Sequence, residues 1–481
     1  MSSREPSVAH VVALGEGGAR TRSVEIRLQA RPAPAGAGEG AIIALGIGDP
    51  ALFAEAYADA WRAGQCPLVL NPLLPFSTMR ALAQTAGATS FAFEADGKVD
   101  HEIFAADARA RAPGRGHLLC TSGTMSAGGS PKLYLFDESA PPGNARAHLS
   151  SIGVDVERGE PEHILLPMPI THSFGVVAGL HAAAVTGARL HAFTSTPDPR
   201  SILAAAEAHA ITTLYLTPTL VRLLLRALAR GRAVDLPALA RISVGSAPMT
   251  RGELLQLARR FPKVPVYFTY GLTELGPRVS TFAGGTGETP SPLLLDDADG
   301  AVPIGRPIDG VRWKVTSDEA DGRLAVSSPY GALGRWLHGA LSPLSGDETG
   351  FFVTEDVVAP LDSGDMGLRG RADGAIICGG LNIYPEDVER IVHDVRGVAA
   401  ACLVGRASAL YGEVAVLLFE AEPLADPVEL EREILRRVSA ALPPTHVPKE
   451  LVLVRALPRT SMGKVARREA AVLARPVQDA S

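Results

Sequence analysis

Five short segments of this sequence concentrate hydroxyl, glycine, carboxylate and lysine residues in loops that follow apolar runs. In the first, Leu118-Leu119-Cys120 leads into Thr121-Ser122-Gly123-Thr124, and the small-residue loop ends at Pro131-Lys132. Glycine lets backbone approach an anion closely, successive N–H groups and hydroxyls donate to it, and lysine adds charge, so such a loop can wrap phosphate. A Ser- and Gly-rich surface loop has the same composition. The second segment is Val266-Tyr267-Phe268-Thr269-Tyr270-Gly271-Leu272-Thr273-Glu274. Here Tyr270 can stack on a base, Thr273 can bond phosphate and Glu274 can hold Mg2+, which prefers oxygen ligands. A Thr-Glu pair after a strand is equally a helix cap. The third is Gly350-Phe351-Phe352-Val353-Thr354-Glu355-Asp356, with Arg371 fifteen residues beyond the aspartate. The fourth, Gly379-Gly380-Leu381-Asn382-Ile383-Tyr384-Pro385-Glu386, and the fifth, Leu457-Pro458-Arg459-Thr460-Ser461-Met462-Gly463-Lys464, lie nearer the C-terminus. Taken singly, Lys464 reads as a solvated tail lysine.

The elements that must position these segments follow from apolar patterning. From Ala41 onward, strand-like runs (Ala41–Leu45, Cys66–Leu70, Thr212–Leu216, Ile242–Val244) alternate with helical ones (Leu52–Ala63, Ser77–Ala86, Ser201–His209, Thr219–Arg230). This rhythm predicts an α/β fold of helix-flanked, mostly parallel sheets, which offer ligands the C-terminal ends of their strands. Arg31–Gly40, Gly284–Gly300 and the region after Ser328 read as loop or irregular. Near Gly370 the rhythm changes to a smaller α+β unit: helix Pro385–Val395, strands Ala399–Val404 and Glu413–Glu420, helix Pro427–Ala441 and strand Leu451–Val454. Proline at the first helical position followed by Glu386 and Asp387 is a good helix start. The expected organisation is a large N-terminal domain, residues 1–371, and a small C-terminal domain, residues 372–481.

Composition narrows the function classes. A chain of 481 residues exceeds one compact core. A net charge of −6 gives no clustered basic face for nucleic acid. No run approaches the roughly 18 apolar residues of a membrane span, and Met1 to Arg20 lack a secretory pattern. Cys66, Cys120, Cys378 and Cys402 match no zinc or short-loop disulfide spacing, as in a cytoplasmic protein with reduced thiols. The expectation is a cytoplasmic protein with neither nucleic-acid partner nor membrane span.

The order and spacing of the five segments resemble the adenylate-forming superfamily of acyl-CoA synthetases, luciferases and peptide-synthetase adenylation domains, from about Leu118 to Glu469. The clearest matches are Tyr270–Glu274 (YGLTE), Gly379–Glu389 (GGLNIYPEDVE) and Leu457–Lys464 (LPRTSMGK), with lesser ones at Pro169–Gly175 (PITHSFG) and Gly245–Pro248 (GSAP). The resemblance implies ATP- and Mg2+-dependent activation of an acyl or aryl carboxylic acid to its acyl-AMP, with release of pyrophosphate. Transfer to a thiol follows, that of coenzyme A or of the phosphopantetheine of an acyl carrier protein. A homologue that binds nucleotide but is catalytically silent is the alternative from another class.

By the same resemblance, Thr121, Ser122, Gly123, Thr124 and Lys132 would close over the β- and γ-phosphates. Adenine would lie against Tyr270 and Gly271 and beside Gly245, Ser246, Ala247 and Pro248. Thr273 would contact phosphate and Glu274 the magnesium. Asp356 would clasp the ribose diol, which a carboxylate suits by accepting two hydrogen bonds, with Arg371 as a second ribose or phosphate contact. Asp365 in Ser363-Gly364-Asp365 imitates the family's usual Thr-Gly-Asp, but only six residues separate it from Arg371. Asp373 falls at the hinge of a mobile C-terminal lid that carries Lys464, the adenylation lysine, which would stabilise charge developing on the α-phosphate and carboxylate oxygens. Gly379 and Gly380 would line the tunnel for the thiol arm. His172 would guard the acyl pocket, walled by Phe174, Gly175, Val244, Gly245 and Leu272. No charged residue among these walls calls for a charged tail, so an aromatic acid or a short-to-medium acyl chain is expected. The phosphate loop departs from the family pattern, with Met125 and Ser126 where a second Thr-Gly is usual.

Overall fold

A computed structural model of the chain describes residues 8–28, 39–104, 111–120, 132–156, 162–228, 234–246, 249–295, 302–316, 322–344, 346–361, 363–371, 376–383, 385–458, 465 and 467–474. The chain divides into two compact units, one taking in most residues up to Ala372 and one built on Asp373–Ser481.

The larger unit holds two sheets. At the heart of the first, six consecutive strands pair in parallel: Val266–Tyr270, Arg241–Gly245, Thr213–Leu216, His163–Leu166, Arg189–Phe193 and Val8–Leu14. The segments between them carry the helices that cover this block, as parallel strands require. Asp198 caps the helix Pro199–Ala208 by accepting from the amides of Arg200 and Ser201. Thr250 and Glu253 form a reciprocal capping box on Arg251–Arg260. Apolar residues from strands and helices then close a core that includes Leu214, Val244, Leu257, Phe261 and Phe268.

Beyond Val266–Tyr270 the same sheet turns antiparallel, through Ser280–Ala283, Val302–Pro307, Met366–Arg371, Phe352–Pro360, Gly322–Ser327 and Arg312–Val315. The region after Ser328, expected to be irregular, therefore contains long strands. Its short connections rich in Gly, Pro and Asp suit tight turns, and such turns join antiparallel neighbours.

The second sheet has a parallel centre of Cys66–Val69, Ile42–Gly46 and Ser90–Ala95 with Gly116–Cys120 beside Cys66–Val69. Antiparallel strands extend it on both sides. The helix Pro50–Arg62 begins at an Asp49 side chain accepting from Ala51 and Leu52. It buries Phe53, Tyr57 and Trp61 at helical spacing. A second core of this unit gathers these with Phe136, Leu166, Phe174 and Tyr215.

In the smaller unit, Val398–Ser408 and Gly412–Ala421 pair antiparallel, Glu450–Leu453 pairs parallel to the latter, and the helices Pro385–His393 and Pro427–Ala441 supply apolar side chains to the core. This is the α+β pattern expected, with Pro427–Ala441 unshifted, most other bounds shifted by a residue or two, and the strand expected over Ala399–Val404 running four residues further, to Ser408. Among the described residues no helix is long and apolar enough to cross a membrane.

Candidate functional site

Because the six central strands run the same way, all their C-terminal ends open on one edge of the sheet. The segment holding His172, Phe174 and Gly175 follows His163–Leu166, Ser246 follows Arg241–Gly245, and Gly271 to Glu274 follow Val266–Tyr270. Backbone spacing is tight here. A Cβ added to Gly245 would fall 2.4 Å from Thr269 Oγ1 and 3.1 Å from Phe174 Cε2, and one added to Gly271 would fall 2.1 Å from the Pro277 carbonyl oxygen. Glycine is thus required by close approach at both positions. Ser246 takes a left-handed φ of 79°, a conformation that costs a non-glycine residue about 1–2 kcal/mol and gathers at functional loops.

Two side-chain contacts tie the segments together. Tyr270 Oη donates to Asp356 Oδ2 at 2.5 Å, with Tyr270 8 % and Asp356 4 % exposed. The hydroxyls of Ser173 and Thr273 lie 3.3 Å apart, joining the turn before the pocket helix to the one after Tyr270. Asp356 and Arg371 are cross-strand partners in the antiparallel pair Phe352–Pro360 and Met366–Arg371. Asp365, by contrast, sits in a turn, accepting from Ser363 Oγ at 2.7 Å and lying 3.5 Å from Arg306. The structure therefore brings Tyr270, Asp356 and Arg371 into one neighbourhood and gives Asp365 a local turn contact.

The pocket side is built on a helix with π-type winding, Gly175–His181, continuing into Ala182–Thr186. Such wide turns recur at functional sites. Phe174 is 1 % exposed and meets Tyr215 edge-on, with ring centroids 5.4 Å apart. Val244 is fully buried and Leu272 partly so. Burial first, then the charge of Arg278, pulls His172 down to about 4, so its imidazole is neutral at pH 7. The amide of Phe174 points at His172 Nδ1 at 3.4 Å. Arg278, left out of the sequence reading, stacks on Phe174 with its Cζ 3.3 Å from the ring centroid. The contact sets a cation against one of the residues expected to wall the acyl pocket. A single Arg between Pro277 and Val279 gives no local sign that tertiary packing will bury it.

Cys120 and Leu133, which flank the segment expected to wrap phosphate, are cross-strand partners in the pair Gly116–Cys120 and Leu133–Asp137, and Lys132 is partly buried. Thr121, Ser122, Gly123, Thr124, Ala247, Pro248, Asp373 and Lys464 lie outside the described residues. Glu274, in the single 3₁₀ turn Thr273–Leu275, is partly buried and its carbonyl oxygen accepts from Ala332 at 2.9 Å. Among the described residues no group of three or more His, Cys, Asp or Glu forms a metal cage.

In the smaller unit, Gly379 and Gly380 have φ of 60° and 89° between the paired Cys378 and Leu381. Positive φ at both centres of a two-residue hairpin turn favours glycine on its own. The turn accounts for the pair without reference to any ligand.

Comparison with known proteins agrees with the motifs. The family model "AMP-binding enzyme" matches residues 121–336 and "AMP-binding enzyme C-terminal domain" matches residues 387–464, together more than half of the chain. The chain is 30 % identical to a methyl-dioxo-octahydro-indenyl-propanoyl:CoA ligase of Mycobacterium tuberculosis, over 62 % of this chain and 56 % of that one. It is 25 % identical to a salicylyl-CoA synthase / salicylate adenylyltransferase of a Streptomyces species, over 84 % and 79 %. It is 27 % identical to a feruloyl-CoA synthase of an Amycolatopsis species, over 73 % and 68 %. The chain thus spans from just over half to about four fifths of these relatives' lengths. Its fold is that of an amide bond synthetase from Marinactinospora thermotolerans, with TM-score 0.74, 21 % identity and 91 % of both chains covered. It also matches an o-succinylbenzoate CoA synthetase from Bacillus subtilis, with TM-score 0.73, 19 % identity and 90 % and 89 % covered. With its motifs in order and both of the family's domain models matched along its length, the chain belongs to the adenylate-forming superfamily.

Proposed function

We propose that this protein activates a small carboxylic acid with ATP, releasing pyrophosphate, and passes the acyl group of the acyl-AMP to coenzyme A. The observation that carries the reading is the buried Tyr270–Asp356 hydrogen bond beside the tight glycines Gly245 and Gly271. It offers an aromatic face for a base and a fixed carboxylate for a ribose diol, next to the Phe174 and His172 wall. Glu274 and Thr273 supply oxygen ligands for Mg2+ carried by the nucleotide. Lys464 is the adenylation lysine, its ammonium offsetting charge as pyrophosphate leaves. Thr121 to Thr124 and Lys132 enclose the outer phosphates, and Asp373 is the hinge at the junction of residues 1–371 with the lid, 372–481. Gly379 and Gly380 border the path of the thiol arm. The protein works in the cytoplasm, where ATP and coenzyme A are at hand.

The test is ATP–pyrophosphate exchange across aryl, alkyl and amino acids, then thioester detection by mass with coenzyme A. Exchange that disappears in Lys464→Ala supports the reading. Exchange without a CoA thioester would transfer the acceptor role to a carrier-protein phosphopantetheine. No exchange with any acid would overturn the ligase and favour a silent nucleotide-binding protein.

A further inference from the structure

Arg278 follows the Thr273–Leu275 turn and precedes the strand Ser280–Ala283. It is 2 % exposed and among the largest fully buried side chains. Among the described residues its guanidinium makes a single hydrogen bond, from Nη1 to the carbonyl oxygen of the adjacent Pro277 at 3.3 Å. Nε and Nη2 are buried with no acceptor among the described residues. Among the described residues, the ionisable groups whose fields reach it are Tyr215, His148 and His172, and none is an anion. Burial raises the Tyr215 hydroxyl and lowers both imidazoles. Burial also draws Arg278 down to about 9, which leaves it charged at neutral pH.

A buried cation without a counter-charge is costly, and the cost is relieved when an anion is brought to it. The face of Phe174 offsets part of that cost through cation–π attraction. It leaves the N–H groups of Nε and Nη2 unsatisfied, and these form one side of the guanidinium, the fork that donates to both oxygens of a carboxylate. Arg278 stacks on a ring that walls the candidate acyl pocket, since that ring also lies against Gly245. We propose that Arg278 selects acids bearing a second carboxylate, whose far end accepts from Nε and Nη2 while the near carboxylate is adenylated. This rests on the acid-activating reading above and narrows its substrate class from acids in general to dicarboxylic acids.

The experiment compares each of a series of aliphatic and benzene dicarboxylic acids with its own monomethyl ester in ATP–pyrophosphate exchange by the wild-type enzyme. The dicarboxylic acid is expected to exceed its ester in kcat/KM by roughly tenfold to a hundredfold, the range for hydrogen bonds to a charged group. Arg278→Met is expected to erase that ratio. Arg278→Lys is expected to keep part of it, as a point charge without the fork. Should Arg278→Met fail to fold, the wild-type ratio decides alone. Esters or plain monocarboxylic acids exchanging as well as the diacids would overturn the inference and leave the ligase reading standing. Absence of exchange with every acid would overturn both.

Discussion

Replacing Tyr270 by Phe removes one oxygen and, with it, the hydrogen bond to Asp356. The ring that would lie against adenine is kept. Both partners are less than one tenth exposed and the contact is 2.5 Å, so the bond is a short one to a buried carboxylate. Hydrogen bonds to charged groups are worth about 1.5–3 kcal/mol, and more is lost when the remaining partner stays buried. The Asp356 amide also donates to Thr354 Oγ1 at 3.1 Å, a contact that holds backbone and is untouched by the substitution. The carboxylate should therefore lose one of the contacts that orient it for the ribose diol. A loss of about 1.5–3 kcal/mol corresponds to about a 10- to 150-fold weaker ATP interaction. In ATP–pyrophosphate exchange, the KM for ATP should rise on that scale while the KM for the acid moves little. Unfolding by urea should show a stability loss of about 2 kcal/mol. Tyr270→Ala should add the loss of the stacking face. Unchanged ATP KM together with unchanged stability would refute the reasoning, and a change confined to the acid KM would reassign Tyr270 to the acyl side.

Other expectations follow from the same geometry. Gly271→Ala drives a Cβ to within 2.1 Å of the Pro277 carbonyl oxygen and should cost more than about 3 kcal/mol, exceeding ordinary overpacking, read as a large fall in urea midpoint. Ser246→Gly relieves a left-handed φ of 79° and should stabilise by up to about 1 kcal/mol, with Ser246→Val doing the reverse. Asp356→Asn should raise the ATP KM sharply, whereas Asp365→Asn, which alters a turn beside Arg306, should leave it within about twofold, the small effect of most surface changes. Finally, burial lowers His117 and His191 to about 3 and His172 to about 4, and pushes His148 and His181 well down. Each native value lies below the unfolded value near 6.5, so between about pH 4 and 6.5 the unfolded chain binds more protons. Stability rises with pH through that window and falls on acidification. Each such histidine contributes about 1 kcal/mol of loss between pH 6.5 and 5.5. Urea midpoints that stay level across that range would contradict the buried neutral imidazoles.

The parts of the fold that were legible in the sequence are those where local chemistry and tertiary environment agree. Asp49, Asp198 and Asp426 each stand before a proline at a helix start. The parallel strands are continuous apolar runs because both their faces are covered. The antiparallel strands from Gly322 to Arg371 were hidden because Gly, Pro and Asp turns break them into short windows with no visible period. At the site, spacing separated Asp356 from Asp365, and the structure sets the first against Tyr270 and the second in a turn. The Tyr270–Asp356 bond joins residues 86 positions apart, and the burial of Arg278 against Phe174 joins segments about a hundred apart. Neither leaves a periodic trace. Gly379 and Gly380 are expected to give room to a thiol arm, and their hairpin turn by itself favours glycine at both.

The opposite edge of the parallel block has a different character. Where the strands begin, Glu162 accepts from Arg241 Nη1 at 2.7 Å and from the hydroxyls of Thr212 and Thr213 at 2.6 and 3.0 Å. This network links the starts of three neighbouring strands and takes no part in the candidate site. Strands of four or five residues at about 3.3 Å each separate the two edges by roughly 15 Å, beyond the distance at which substitutions usually couple. For anyone modifying the enzyme, the sheet therefore offers two independent controls. Changes around Glu162 and Arg241 are expected to act on stability alone, and changes around Ser246 and Phe174 on the proposed acid site. A library built on both edges at once can be scored as the sum of its halves.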